Sequence, residues 1–205
     1  MATFIIVDDH PLARLAIRML LEKEGHRVVA ETDDGSAVMA LVKQHRADVL
    51  VMDIDLPGID GIEATTLLRS AGIKIPVVVM SGKNPDYYTQ LSIKAGANGF
   101  ISKQKDLSYL THAVNAVFSG YGYFPLRMHH SDEPSDSDSE RLGLLSRREF
   151  EVLKHLADGR EISSIASLMQ LSNKTISTYK ARLMEKLGLK NQRDLLEFTR
   201  RNNIS

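Results

Sequence analysis

Four short stretches of the 205-residue chain hold side chains that could do chemistry together: VDDH (7–10), VMDIDLPGIDG (51–61), VVMSG (78–82) and FISK (100–103). Each lies at, or just past, the end of an apolar, β-branched run of strand length. If those runs are parallel neighbours, Asp8, Asp9 and Asp53 converge on one rim of a sheet. Three carboxylates cannot all stay ionised at close range without a cation, because each raises the pKa of the others. An oxygen-only ligand set favours a hard ion, Mg²⁺ first. A carboxylate beside such an ion can attack a phosphoryl group and form an acyl phosphate. The phosphoryl oxygens then need a hydroxyl donor and a second cation, which Ser81 and Lys103 supply. Asp53 closes its run, and Pro57 and Gly61 shape a tight loop behind it. Taken singly, each stretch has an ordinary explanation in a helix cap, a turn or a solvated strand end. All four in order, on strands one, three, four and five, do not.

The elements that must position these residues follow from hydrophobic periodicity. Strand patterns fall at Phe4–Val7, Arg27–Ala30, Val49–Met52, Val77–Met80 and Gly99–Ile101. Helical patterns lie between and after them. Leu12–Glu24 carries Leu12, Leu15, Ala16, Met19 and Leu20; Ser36–Gln44 follows; Leu107–Phe118 sets Leu107, Leu110, Val114 and Val117 on one face. Short, nearly continuous apolar strands alternating with helices predict an α/β doubly wound, five-stranded parallel sheet, covered on both faces. Ligands of such a sheet bind at the C-terminal strand ends.

The chain then changes character. HHSDEPSDSDSE (129–140) is acidic and almost free of apolar residues, so it reads as a flexible linker. Its His129 and His130 read as solvated. Beyond it, Ser146 and Glu149 have capping-box spacing, Phe150, Leu153, Leu156 and Ala157 form a core face, and Gly159 stops the helix. A short helix around Glu161–Met169, a tight Gln170–Leu171 turn and a helix capped by Ser172 read as helix-turn-helix. That second helix buries Ile176, Tyr179, Leu183 and Leu187. A last helix, Gln192–Arg200, buries Leu195, Leu196 and Phe198, either as core or as a dimer contact. The expected organisation is therefore an α/β domain at 1–121, a linker at 122–141 and a small all-α helix-turn-helix domain at 142–205.

The overall charge of zero hides an asymmetry. Residues 1–124 are close to neutral with 12 basic and 14 acidic side chains, whereas 141–205 hold 13 basic and 7 acidic, a net +6. A small basic module points to nucleic acid or an acidic surface. No cysteine is present, which excludes disulfides and thiolate metal sites and fits a reducing cytoplasm. No apolar run approaches the roughly 18 residues of a membrane span, and a first strand at about Thr3 leaves no room for a signal peptide.

DDH, Asp53 with Pro57 and Gly61, Ser81 and Lys103 together resemble the receiver domain of two-component response regulators. LSRREFEVL…ISSIASLMQLSNKTISTYKARLMEKLG is similar to the LuxR/FixJ-type helix-turn-helix. Over essentially its whole length the chain resembles the NarL/FixJ class, and GYGYFP and SNKTISTYK are most similar to its BvgA/EvgA branch. The resemblance implies a CheY-like receiver with Asp53 as phosphoacceptor and Asp8 and Asp9 as the metal pair. It also implies Asp55 as a Mg²⁺ ligand through its backbone carbonyl, and Ser81 and Phe100 as hydroxyl and aromatic switch positions. The phosphoryl donor would be a phosphohistidine on a sensor histidine kinase or phosphotransfer domain. Self-phosphorylation and dephosphorylation at Asp53 would be the only enzymatic chemistry. Gln104 departs from the family, which often has proline after the lysine, and Leu56 replaces a common methionine.

The DNA major groove admits an α-helix, and the second helix of this motif enters it with its N-terminal residues near base edges. Lys174, Thr175, Ser177, Thr178, Lys180, Ala181, Arg182 and Lys186 are the expected contacts. The small polar side chains and Ala181 would meet bases, and the lysines and Arg182 would meet phosphates. One such module offers few base contacts, so a homodimer on repeated half-sites of double-stranded DNA is expected, with RNA polymerase as a further partner. Two competing readings are a constitutive DNA binder with a vestigial receiver and, from Asp-x-Asp in MDIDLP, a haloacid-dehalogenase-type phosphatase.

Overall fold

A computed structural model describes residues 1–125, 138–202 and 204, which fall into two compact units, Met1–Met128 and His129–Ser205. In the first, β1 (Thr3–Val7), β2 (Arg27–Thr32), β3 (Val49–Asp53), β4 (Val77–Ser81) and β5 (Gly99–Ser102) form one parallel sheet in the order β2-β1-β3-β4-β5. Its crossovers are α1 (Pro11–Lys23), α2 (Val38–His45), α3 (Gly61–Ser70) and α4 (Pro85–Ala95), and α5 (Tyr109–Phe118) follows β5. Strand order reverses between β1 and β3, so a crevice opens at their C-terminal ends.

Side chains alternate between the two faces. Phe4, Ile6, Val51, Val78, Met80 and Ile101 pack with Ile17 and Leu21 of α1 and with Leu110, Ala113, Val114 and Val117 of α5. The intervening residues, among them Ile5, Leu50, Met52, Val79 and Phe100, are also fully or almost fully buried, so the opposite face is covered too.

Local chemistry fixes the helix starts. Pro11 opens α1 with its φ already helical, Asp60 caps α3 by accepting from the Glu63 amide (2.9 Å), and Asn84 caps α4 by accepting from the Tyr87 amide (3.0 Å). Gly61 presses against the end of β3: its amide donates to the Ile54 carbonyl, and a Cβ there would lie 2.1 Å from the Asp53 carbonyl oxygen.

The α1 core face differs from expectation. Ile17 and Leu21 are buried, whereas Leu12, Leu15 and Met19 are 81%, 52% and 63% exposed. This helix is apolar on nearly every side, so periodicity alone did not single out the stripe that faces the sheet. Ser36 lies in a short 3₁₀ turn, Gly35–Ala37, rather than in α2.

In the second unit, α6 (Asp138–Gly143), α7 (Arg147–Ala157), α8 (Ile162–Met169), α9 (Asn173–Leu187) and α10 (Gln192–Arg201) enclose Leu142, Phe150, Leu153, Ile165, Ile176, Leu183, Leu195 and Phe198. The capping box forms as expected: the Glu149 amide donates to Ser146 Oγ (3.3 Å) and the Ser146 amide to Glu149 Oε2 (2.7 Å). Gly159 (φ +74°) follows the end of α7. Gln170 adopts the left-handed conformation that ends α8 (φ +55°).

Tyr179 is only half-buried, and Leu196 is 42% exposed while Thr199 takes its place inside. Leu195 and Phe198 are core, which removes them as a dimer contact. The linker expected at 122–141 is shorter among the described residues. At its far end Asp138 begins α6 and accepts from Arg201 Nε (2.6 Å) and Asn202 Nδ2 (2.9 Å), because these basic and amide groups at the end of α10 need an acceptor. Residues 126–137, with His129 and His130, lie outside the described residues.

Gly61→Ala is expected to destabilise the first unit by about 3 kcal/mol, since backbone rather than a flexible side chain must give way. Urea titration would read this, and an unchanged midpoint would mean the loop absorbs a Cβ without moving Asp53.

Candidate functional site

The strand ends bring the expected residues together. Asp8 follows β1 and is 1% exposed; Asp53 ends β3 and is 3% exposed. Lys103, just past β5, donates from Nζ to Asp8 Oδ2 and to Asp53 Oδ2, each at 2.7 Å. Nothing donates to Asp53 Oδ1, although that atom is buried. One ligand atom from each of Asp8, Asp9, His10 and Asp53 can be chosen so that all lie within 4.8 Å of one another.

The electrostatics match this crowding. Burial pushes the Asp53 carboxyl above the usual range, the Lys103 hydrogen bond and charge pull it back, and the Asp8 charge pushes it up again, for a net rise. Burial pulls the Lys103 ammonium down, but its bonds to Asp53 and Asp8 outweigh that and hold it above the usual lysine value. Lys103 is thus the cation that keeps two buried carboxylates compatible. The acidic set, with buried oxygens on Asp9 and Asp53 that lack a hydrogen-bond partner, also fits a hard divalent ion, and Asp8, Asp9 and Asp53 are the residues that would hold it. His10 Nδ1 sits 2.5 Å from Asp9 and 3.7 Å from Asp8, which brings the imidazole to the same rim.

Ser81 is fully buried at the end of β4, one residue past Met80, the register partner of Asp53. Its hydroxyl accepts from the Lys83 amide (3.0 Å), and its carbonyl accepts from the Lys103 amide (2.7 Å). Phe100, the expected aromatic switch position, is fully buried on β5.

Asp55 carries its side chain to Lys83, with which it forms an ion pair, and Lys83 Nζ also lies 5.5 Å from the Tyr88 ring centroid. Lys83 ties the β3–α3 loop to the β4–α4 loop at the mouth of the site. Asp55 lies two residues past the end of β3 and Lys83 two past the end of β4, and these strands are neighbours in the sheet.

In the second unit α9 exposes Lys174, Ser177, Thr178, Ala181 and Arg182, while Thr175 and Lys180 are half-buried. Thr178 Oγ1 donates to the Lys174 carbonyl (2.9 Å) and Thr175 Oγ1 lies 2.8 Å from Ser172 Oγ, so both hydroxyls have local partners. Lys186 does not join that face. Its Nζ donates to the buried Glu149 carboxylate at 2.6 Å, pinning α9 to α7. Burial pushes Glu149 up, but Lys186 and the Ser146 amide outweigh it and hold it below the usual carboxylate range.

A parallel sheet with an acidic, lysine-bridged crevice at its switch point, followed by a helix-turn-helix, defines a receiver joined to a DNA-binding module. Residues 4–115 match the response regulator receiver domain, and residues 143–199 match the luxR family of bacterial regulatory proteins. The chain is 40% identical over 200 residues to the DNA-binding transcriptional activator EvgA of Escherichia coli K12, covering 98% of each. It is 39% identical over 204 residues to the transcription regulator BvgA of Bordetella pertussis, again over 98% of each. RcsB of Salmonella enterica serovar Typhimurium, solved on promoter P1flhDC with a phosphomimetic, superposes with a TM-score of 0.61 and 29% identity, covering 96% of this chain and 97% of that one. The chain belongs to the two-component response regulators with a LuxR-type DNA-binding domain. The haloacid-dehalogenase alternative is set aside by the receiver match across the Asp-x-Asp motif.

A carboxyl whose folded pKa is raised contributes stability below its unfolded value, here near 3.8, and loses it as pH rises through the folded value. In metal-free buffer the wild-type urea midpoint should therefore fall, relative to Asp53→Asn, as pH rises across that window. Parallel pH profiles for the two proteins would refute this account of the site.

Proposed function

We propose that this regulator is gated by phosphorylation of Asp53. The buried Asp53 Oδ1 supports this most directly: it has no hydrogen-bond partner and lies beside a lysine already bound to its twin. That oxygen forms the P–O bond as the P–N bond of a phosphohistidine breaks, and the released imidazole regains a proton from solvent. Mg²⁺ bound by Asp8, Asp9, Asp53 and the Asp55 carbonyl would supply charge neutralisation for the transferring phosphoryl group. Lys103 has only to turn one of its hydrogen bonds from carboxylate to phosphoryl, and the Ser81 hydroxyl provides a donor on the next strand. The donor is a sensor histidine kinase or phosphotransfer domain, and the chain itself performs only phosphorylation and dephosphorylation at Asp53.

The output is double-stranded DNA bound by α9. Lys174, Ser177, Thr178, Ala181 and Arg182 form its exposed face, flanked by Thr175 and Lys180. Lys186, committed to Glu149, acts instead on the stability of the module. RcsB has been solved as dimers bound to DNA, which supports a homodimer on repeated half-sites here, acting in the cytoplasm beside RNA polymerase. No described helix is long and apolar enough to cross a membrane.

Selection from a randomised duplex pool in Mg²⁺, with and without beryllofluoride, tests the gating. Enrichment of a repeated motif only with beryllofluoride, lost in Asp53→Asn, is the expected result; equal enrichment in both conditions would reduce the receiver to a scaffold. On the selected duplex, Lys174→Ala should weaken binding and lower the salt slope by about one, the signature of one lost phosphate contact. Lys186→Ala should leave the slope unchanged and lower the melting temperature.

A further inference from the structure

The segment just beyond α5 is bound to the sheet in a way the receiver's chemistry does not require. Gly120 (φ +81°) turns the chain at the end of α5, and the Tyr121 amide donates back to the Ala116 carbonyl (2.9 Å). The chain then runs along the open edge of β5. The Phe100 amide donates to the Tyr123 carbonyl (2.8 Å), the Tyr123 amide donates to the Asn98 carbonyl (2.9 Å), and Gly99 and Tyr123 form a parallel bridge. Tyr123 packs, partly buried, against the core shared with α5. Close approach depends on Gly99, where a Cβ would lie 3.3 Å from the Tyr123 carbonyl oxygen and 3.5 Å from its Cβ.

This strap is placed to report on the site. β5 carries Phe100, whose amide holds the strap, and leads directly into Lys103, whose Nζ joins Asp8 to Asp53. Lys103 is further tied to β4 through the Ser81 carbonyl. A shift of Lys103 toward a phosphoryl group therefore pulls on the strand that pairs with the strap. Two backbone hydrogen bonds at a sheet edge belong to the low-stability end of a fold, where small perturbations change populations. Beyond the strap the chain continues toward the DNA-binding unit.

We infer that the 121–124 strap is the element through which the state of Asp53 is communicated to the DNA-binding unit, with Gly99 and Tyr123 as its positioning residues. The inference rests on the phosphorylation-gated reading of Asp53 and adds the route of transmission. An edge cover with no such role would protect β5 equally in both states of the site.

The test uses full-length protein with Gly99→Val, which crowds the strap, and Tyr123→Pro, which removes the amide that bonds Asn98. Beryllofluoride binding is read by fluorine NMR, and the affinity for the selected duplex is measured with and without it. Both variants should bind beryllofluoride as wild type does, yet lose about fivefold or more of the affinity ratio between the two states, a typical coupling. An unchanged ratio in a variant with exposed strap amides overturns the inference.

Hydrogen exchange on wild-type protein keeps the test decisive should both variants misfold. The Phe100 and Tyr123 amides should change exchange rate by about fivefold or more on adding beryllofluoride, in line with such a coupling, and equal rates in both states overturn the proposal. Failure of wild-type protein to bind beryllofluoride would instead overturn the Asp53 reading itself, and the strap's role with it.

Discussion

Two buried carboxylates, Asp8 and Asp53, face each other across the ends of β1 and β3, and Lys103 holds them there. Most of the first unit can be understood as the apparatus that makes this contact possible. Like charges in a dry crevice would separate or take up protons if the backbone allowed it. The backbone does not allow it, because β1 and β3 are adjacent and in register, with Val7 beside Met52. Gly61, seated against the Asp53 carbonyl, prevents the loop from drawing Asp53 outward. Lys103 is fixed in turn by its amide on Ser81. The lysine satisfies the site only in part: Asp53 keeps a raised pKa and one oxygen without a donor. A site left in that condition gains from any ligand that brings further positive charge or accepts the lysine's hydrogen bonds.

The second unit solves a comparable problem with the opposite outcome. Glu149 is also a buried carboxylate, yet it closes a capping box and accepts from Lys186, so its pKa is depressed rather than raised. One buried acid is satisfied and joins helices; the other is left wanting and can do chemistry. The distinction rests on the deeper desolvation of Asp53 and the Asp8 charge beside it, against the Lys186 and Ser146 donors that outweigh burial at Glu149. Pinning α9 to α7 through Lys186 leaves Lys174, Ser177, Thr178, Ala181 and Arg182 as a rigidly presented face.

Much of this is legible in the amino-acid sequence. The strand runs are short, β-branched and punctuated by Gly or Asp, so Asp8, Asp53, Ser81 and Lys103 could be assigned to one rim from order alone. What escaped reading shares a physical cause. The core face of α1 was ambiguous because apolar residues surround that helix, and only the sheet decides that Ile17 and Leu21, not Leu12 and Met19, are buried. Leu196, expected inside α10, is exposed and Thr199 is buried for the same reason: tertiary packing outranks a short periodic pattern. The Lys83–Asp55 pair and the Tyr123 strap are contacts between segments distant in sequence, whose partners are named by register and edge geometry rather than by residue type. Lys186 pairs with Glu149, a partner that charge and spacing alone do not name.

The full burial of Phe100 bears on how such a protein can switch. A side chain with no exposed surface has little inward travel left, so a signal that depends on that ring moving inward has little to work with in this state. The backbone of the same residue is differently placed. Its amide is spent on the edge contact with Tyr123, and the strand it belongs to ends at the lysine that holds the acidic pair together. Edge hydrogen bonds exchange partners readily with water, whereas core packing does not. The part of this domain most open to rearrangement is therefore the pairing at its outermost strand rather than its core.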